Sequence, residues 1–248
     1  MADTTPFGEL KNAQGERLDY ACAGGAGPEN PAPLVVICHG VTANKDRAWA
    51  QTLAAALSEA GIANLRFSFA GNGESEGDFR ECTISKEVTD LGAVLDAVAG
   101  RPLCVVGHSM GGAVGVLRAA QDARIGYLVS LAGMVDCAGF YARKFGELTP
   151  GQDLMWDKPE CPLSATFQLD MQAIGSVLEQ GAEVEVPWLL LHGDADTVVP
   201  IEDSRAISAV GPRAQLIEVA GADHLFSGEH ERTMAERVVH WLQGQLQA

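Results

Sequence analysis

Short uninterrupted apolar runs alternate along the chain with longer segments in which apolar residues recur every three or four positions. The first kind reads as strands buried on both faces, the second as amphipathic helices. Leu34–Cys38, Ile62–Phe69, Leu103–Val106, Ile125–Leu131, Val186–Leu191 and Gln215–Val219 are runs of the first kind. Between and after them, Ala48–Ala60, Ser85–Ala99, Gly111–Ala120, Pro200–Val210 and Glu229 to Leu246 carry the helical spacing, with Gly61, Gly100 and Pro102 as punctuation. Strand–helix alternation of this kind predicts an α/β fold, a mostly parallel central sheet flanked by helices. Ahead of it, Phe7–Leu10 and Leu18–Ala23 flank the Asn12–Gly15 turn and predict an antiparallel hairpin, followed by a Gly/Pro loop from Gly24 to Pro33.

The alternation breaks between Gly133 and Ala182, where Pro, Gly, Trp and Phe are scattered without strand–helix order. An irregular stretch of that length inside a compact domain is usually functional. The expected organisation is therefore a core made of residues 1–132 and 183–248, with residues 133–182 inserted as a cap over the C-terminal edge of the sheet.

Gly-x-Ser-x-Gly occurs twice, at Gly107-His108-Ser109-Met110-Gly111 and at Gly73-Glu74-Ser75-Glu76-Gly77. With 28 glycines in the chain, the pattern alone decides little. A nucleophile elbow needs a strand entering, a helix leaving and small neighbours that permit a strained turn. Ser109 has these in Leu103–Val106 and Gly112–Leu117. The helix N-terminus that follows presents positive dipole to a developing oxyanion. Ser75 has no helix after it, and its two glutamate neighbours would oppose an oxyanion, so Gly73–Gly77 reads as a loop.

A serine hydroxyl needs a base. Of the six histidines, His108 sits inside the elbow and is read as pointing away from a partner role. His39 and His192 each end a strand as His-Gly, and His230 and His240 fall in the last helix. His224, in the loop after the last strand, is left as the base, and the order Ser…Asp…His agrees with this. The acid lies between them: Asp194 and Asp196 follow the strand ending at Leu191, and Asp136 follows the preceding one. The residues alone leave these three open. Main-chain N–H groups of Met110 and of the loop after His39-Gly40, at Val41, are the expected oxyanion donors.

His39-Gly40-Val41-Thr42-Ala43-Asn44-Lys45, Leu65–Gly77, Gly107–Gly112, His192-Gly193-Asp194-Ala195-Asp196 and Gly221-Ala222-Asp223-His224 stand in one order. In this the chain resembles the cinnamoyl/feruloyl-esterase-like branch of the α/β hydrolases, near the serine aminopeptidase-type hydrolases, over nearly its whole length outside the insert. The resemblance implies the α/β-hydrolase fold and carboxylic ester hydrolysis, with Ser109 as nucleophile, His224 as base, Asp196 as acid, and Val41 and Met110 as oxyanion donors. Ser68 stands where many members of that group carry Asp, which puts a structural hydrogen bond in question. The resemblance places substrate choice in the insert, where Phe140, Tyr141, Trp156 and Phe167 are candidate aromatic walls.

Composition narrows the partners. Hydrophobic residues make up 47% of the 248 and charged ones 20%, in keeping with a folded enzyme with a sizeable core. The net charge of −16 opposes binding to nucleic acid or an anionic membrane surface. None of the six cysteines forms a CxxC pair, so neither a metal nor a redox site is expected, and no cofactor is implied. No apolar stretch is long enough to span a bilayer, and the opening residues lack the pattern of a signal peptide; a cytoplasmic protein is expected. The expected partner is a small ester, with a homodimer left open. Thioesters, amides and C–C bonds are alternative substrates of the same triad, and a non-catalytic binding protein on the same scaffold is the alternative of another class.

Overall fold

The computed structural model describes residues 4–247; the readings that touch residues 1–3 and 248 lie outside them. The chain opens with a two-residue antiparallel ladder, β1 (Leu10–Lys11) against β2 (Arg17–Leu18). The expected hairpin is thus shorter than its apolar runs. Asp19 divides the second run, because its N–H donates to Ser75 Oγ (2.8 Å) and its carbonyl accepts from Ser68 N–H (2.8 Å). β3 (Tyr20–Ala23) then leaves for the main sheet, where it runs antiparallel to β5 (Ala63–Phe67).

The remaining strands are β4 (Leu34–Cys38), β6 (Leu103–His108), β7 (Ile125–Leu131), β8 (Trp188–Gly193) and β9 (Ala214–Val219). They pair in the order β3-β5-β4-β6-β7-β8-β9, parallel from β5 onward. The apolar runs are unbroken because alternate residues serve opposite faces. Leu34, Val36 and Cys38 enter one core with Leu103, Val105, Leu128 and Leu190, while Val35 and Ile37 enter a second with Cys104, Val106, Val129 and Leu191. Helices α1 (Ala48–Glu59) and α8 (Glu229–Leu246) cover the second face through Leu53, Leu57, Val238 and Leu242. Helices α2 (Ile84–Ala97) and α3 (Met110–Ala119) cover the first. Thr83 starts α2 by accepting Lys86 N–H at 3.0 Å, a side-chain cap that satisfies one free donor of the first turn.

Residues 133–182 contain more regular structure than their sequence predicts. They hold α4 (Cys137–Phe145), a single 3-10 turn at Met155–Asp157, α5 (Ala165–Ile174) and α6 (Leu178–Ala182). Asp136 caps α4 by accepting Gly139 N–H, and Ser164 caps α5 by accepting Phe167 N–H. These helices are short and separated by Pro- and Gly-containing loops, so no window carries a long periodic signal. They bury Phe140, Phe145 and Phe167 in the core on the first face. Helix α7 (Ile201–Val210) joins β8 to β9. Among the described residues no helix is long and apolar enough to cross a membrane.

Leu53 is fully buried between α1 and the sheet. Leu53→Ala is expected to lower the unfolding free energy by about 2–5 kcal/mol. Urea denaturation should show a lower midpoint at an unchanged slope.

Candidate active site

The register brings the C-terminal ends of β4, β6, β8 and β9 to one edge of the sheet, with Cys38 opposite Gly107 and His192 opposite Glu218. The loops that leave this edge carry the candidate residues. Ser109 follows β6 directly, with φ 55° and ψ −120°, and α3 starts at the next residue. This is left-handed backbone in a residue with a side chain, a costly conformation that the surroundings must enforce. Ser109 N–H donates to Leu131 O at 3.0 Å, while its carbonyl accepts from Gly112 and Met134 N–H at 2.9 and 3.0 Å. Two glycines make room for the turn. A Cβ on Gly111 would stand 2.4 Å from His39 O, and one on Gly40 would stand 2.8 Å from Ser109 Cβ.

His224 Nδ1 lies 2.7 Å from Asp196 Oδ2. The other Asp196 oxygen accepts the N–H groups of Val198 (2.7 Å) and Val199 (3.0 Å), and its side chain is fully buried. Burial pushes the Asp196 carboxyl up, but the hydrogen bonds from His192 and His224, with the charge of His224 and the Val198 N–H, outweigh it and hold the group well below the usual carboxylate range. The other two candidate acids stand in different surroundings. Asp194 is exposed and accepts Gly221 N–H, and Asp136 is spent on the α4 cap and on Arg143 at 3.3 Å.

Three histidines that the sequence leaves without a role hold this edge together. His192 Nε2 faces two acceptors, Asp196 Oδ2 and Val199 O, both at 3.1 Å, so that nitrogen carries the proton; Nδ1 lies 2.7 Å from Ser204 Oγ. His39 Nε2 accepts Phe69 N–H at 3.0 Å, so its Nδ1 carries the proton and donates to Gly40 O at 2.8 Å. Burial lowers this imidazole to about 4. His108 Nε2 donates to the backbone carbonyl of His224 at 2.8 Å, and its ring packs against those of Trp49 and His224, each 4.8 Å away. Hydrogen bonds across long sequence separations leave no local pattern, and the only hint was the abundance of histidines near strand ends.

Ser109 and His224 line one cavity of about 280 Å³ with Gly40, Val41, Trp156 and Leu225. Among the described residues no hydrogen bond joins Ser109 Oγ to His224. Val41 and Met110 flank Ser109, and among the described residues neither backbone N–H donates to a backbone oxygen. Of the four aromatic wall candidates only Trp156 lines the cavity. Phe140, Tyr141 and Phe167 are a correction: with Phe145 they form a buried ring cluster with centroids 6.0–6.2 Å apart, because short helices with one apolar face turn their largest residues inward. Ser68 keeps a structural hydrogen bond, accepting Lys45 N–H at 3.1 Å. Ser75 Oγ donates to Ser68 O at 2.7 Å, which makes the second Gly-x-Ser-x-Gly a structural loop. The six cysteines are buried, and no group of side chains among the described residues is arranged to hold a metal ion.

The chain belongs to the alpha/beta hydrolase family, whose model matches residues 35–237. Est1E from Butyrivibrio proteoclasticus, solved with ferulic acid bound, is 25% identical and superposes with a TM-score of 0.82 over 96% of this chain and 99% of its own. Among curated proteins, the mitochondrial palmitoyl-protein thioesterase ABHD10 of Bos taurus is 26% identical over 207 residues, 78% of this chain and 67% of its own. The mouse ABHD10 structure has the same fold, with a TM-score of 0.79 at 21% identity over 99% of this chain and 100% of its own.

Burial and the neighbouring His224 push the His108 imidazole down to about 3, against 6.5 ordinarily. The unfolded chain binds this proton first, so the contribution to stability is full above pH 6.5 and is lost as the pH falls toward 3. Between pH 7 and pH 4.5, His108→Asn should therefore lose about 2–3 kcal/mol less stability than the wild type. Denaturation curves at the two pH values test this, and equal losses would show that His108 is not held neutral by the fold.

Proposed function

We propose that this hydrolase cleaves small or aromatic carboxylic esters through an acyl-enzyme, with Ser109 as nucleophile, His224 as general base and Asp196 as the acid that orients it. The observation that carries this reading is the strained Ser109 at the β6–α3 turn, sharing a cavity with His224, whose Nδ1 is 2.7 Å from the buried Asp196. His224 Nε2 takes the Ser109 proton as Oγ attacks the carbonyl carbon, and the Val41 and Met110 N–H groups stabilise the oxyanion. The C–O bond breaks as the leaving alkoxide takes that proton from His224. Water then attacks the acyl-enzyme, giving its proton to His224, and Ser109 leaves with the proton restored. The depressed Asp196 keeps its charge throughout and stabilises the imidazolium.

Cavity size supports a small acyl group: about 280 Å³ lies just below the roughly 300–1,000 Å³ of typical ligand pockets. The likeness to ABHD10 over most of the chain supports a second reading, a thioesterase using the same residues. Residues 133–182 act as a cap in either case, a reading supported by the Trp156 side chain on the cavity wall.

Chromogenic esters from acetyl to octanoyl, a feruloyl ester and the matching acyl thioesters separate these readings. Wild type should turn over short or aromatic esters fastest, and Ser109→Ala should fall to background. A fluorophosphonate should add one covalent mass to the wild type alone, at Ser109. Asp196→Asn should lower kcat by about 10⁴. Full activity in Ser109→Ala would overturn the assignment, and preference for thioesters over esters of equal acyl length would favour the second reading.

A further inference from the structure

The cavity beside Ser109 carries two cations, Arg47 and Lys158, and no acidic side chain on its wall. This is unusual in a chain with 33 acidic residues against 17 basic ones. Surface lysines and arginines in such a chain readily find carboxylates; Lys45, two positions from Arg47, pairs with both Asp19 and Asp46. Among the described residues neither Arg47 nor Lys158 makes an ion pair. Arg47 instead donates one Nη2 N–H to Thr42 O at 3.2 Å, which ties one arm of its guanidinium to the loop that carries Val41 and leaves the other N–H groups for a ligand. Lys158 comes from the other side, at the end of the 3-10 turn in the insert, where its own N–H closes on Met155 O at 3.1 Å. Two cations 111 positions apart in sequence thus converge on one cavity. Asp196, the carboxylate behind His224, is fully buried and already saturated.

We propose that the substrate carries an anionic carboxylate away from the bond that is cleaved, held by Arg47 and Lys158, while Trp156 and Leu225 take its apolar part. This rests on the ester-hydrolase reading and names the substrate class of that site. In a strongly negative protein an anion is repelled everywhere except where local cations reverse the field, so the pair serves both to attract and to orient. The guanidinium supplies a planar fork and the ammonium a point charge, a suitable pair for one carboxylate.

Two matched pairs of esters test this on the acyl side and on the leaving-group side: 4-nitrophenyl hemiadipate against its methyl ester, and 4-(2-carboxyethyl)phenyl butyrate against its methyl ester. In one pair the anion should be preferred about tenfold in kcat/KM at low salt, the scale of a charge-assisted hydrogen bond at a half-exposed site. That ratio should collapse toward unity in R47Q/K158Q and in about 0.5 M sodium chloride, and fall only in part in R47K, which keeps the charge but not the fork. Neutral preference in both pairs, or a ratio that persists in R47Q/K158Q, overturns the proposal. A binding arm separates this from the catalytic reading: Ser109→Ala is titrated with monomethyl adipate and dimethyl adipate by ligand-observed NMR. Tighter binding of the monoanion, lost in S109A/R47Q/K158Q, upholds the anion site even if no ester is turned over, in which case only the catalytic reading fails. Equal or absent binding of both overturns the anion site whatever the turnover.

Discussion

The backbone turn at Ser109 is the constraint around which the rest of this edge is arranged. A serine at φ 55° is tolerated only because three backbone hydrogen bonds fix it to β7, to the start of α3 and to the loop after β7. The same turn presses α3 so close to β4 that Gly111 lies against His39 O, and Gly40 against Ser109 itself. Helix, strand and the loop after β4 therefore occupy positions that no larger residue would permit, and the geometry of the site is a by-product of this close packing. Strain in one residue is offset by satisfied hydrogen bonds in its neighbours, which is the usual way a fold holds a reactive conformation.

A second level of order comes from buried imidazoles. His39 ties the exit of β5 to Gly40, His108 ties the elbow to the His224 backbone, and His192 ties Asp196 to α7 through Ser204. Each ring spans two elements whose loops would otherwise move independently. Burial keeps His39 and His108 neutral. Neutral rings supply directed hydrogen bonds without adding fixed positive charge beside His224. The arrangement converts loops at the end of a sheet into a rigid frame for the Asp196–His224 pair.

The remaining variable lies in the segment between β7 and β8. Its aromatic residues are mostly structural, clustered around Phe145, and this cluster anchors the helices to the main core. What reaches the cavity is the loop between α4 and α5, with Trp156 at φ 55° and Lys158 close behind. The aromatic cluster thus supports a short loop whose Trp156 and Lys158 line the cavity beside residues of the core.

Sequence periodicity determined the sheet, its flanking helices and the elbow. These elements are specified by local rules: alternate residues of a buried strand face two cores, and a helix follows a strand through a turn of small residues. Leu34–Cys38, Ile125–Leu131 and the final helix were legible to within a residue for that reason. The placing of Ser109 at a strand–helix turn and of His224 in the loop after the last strand was legible because strand ends constrain both. The split of the N-terminal hairpin at Asp19, the meeting of Asp196 with His224, and the hydrogen bonds of His39, His108 and His192 were decided only by tertiary structure. So was the inward turn of Phe140, Tyr141 and Phe167. Each depends on which groups from distant parts of the chain meet at hydrogen-bonding or van der Waals distance, and neither residue type nor spacing encodes that directly.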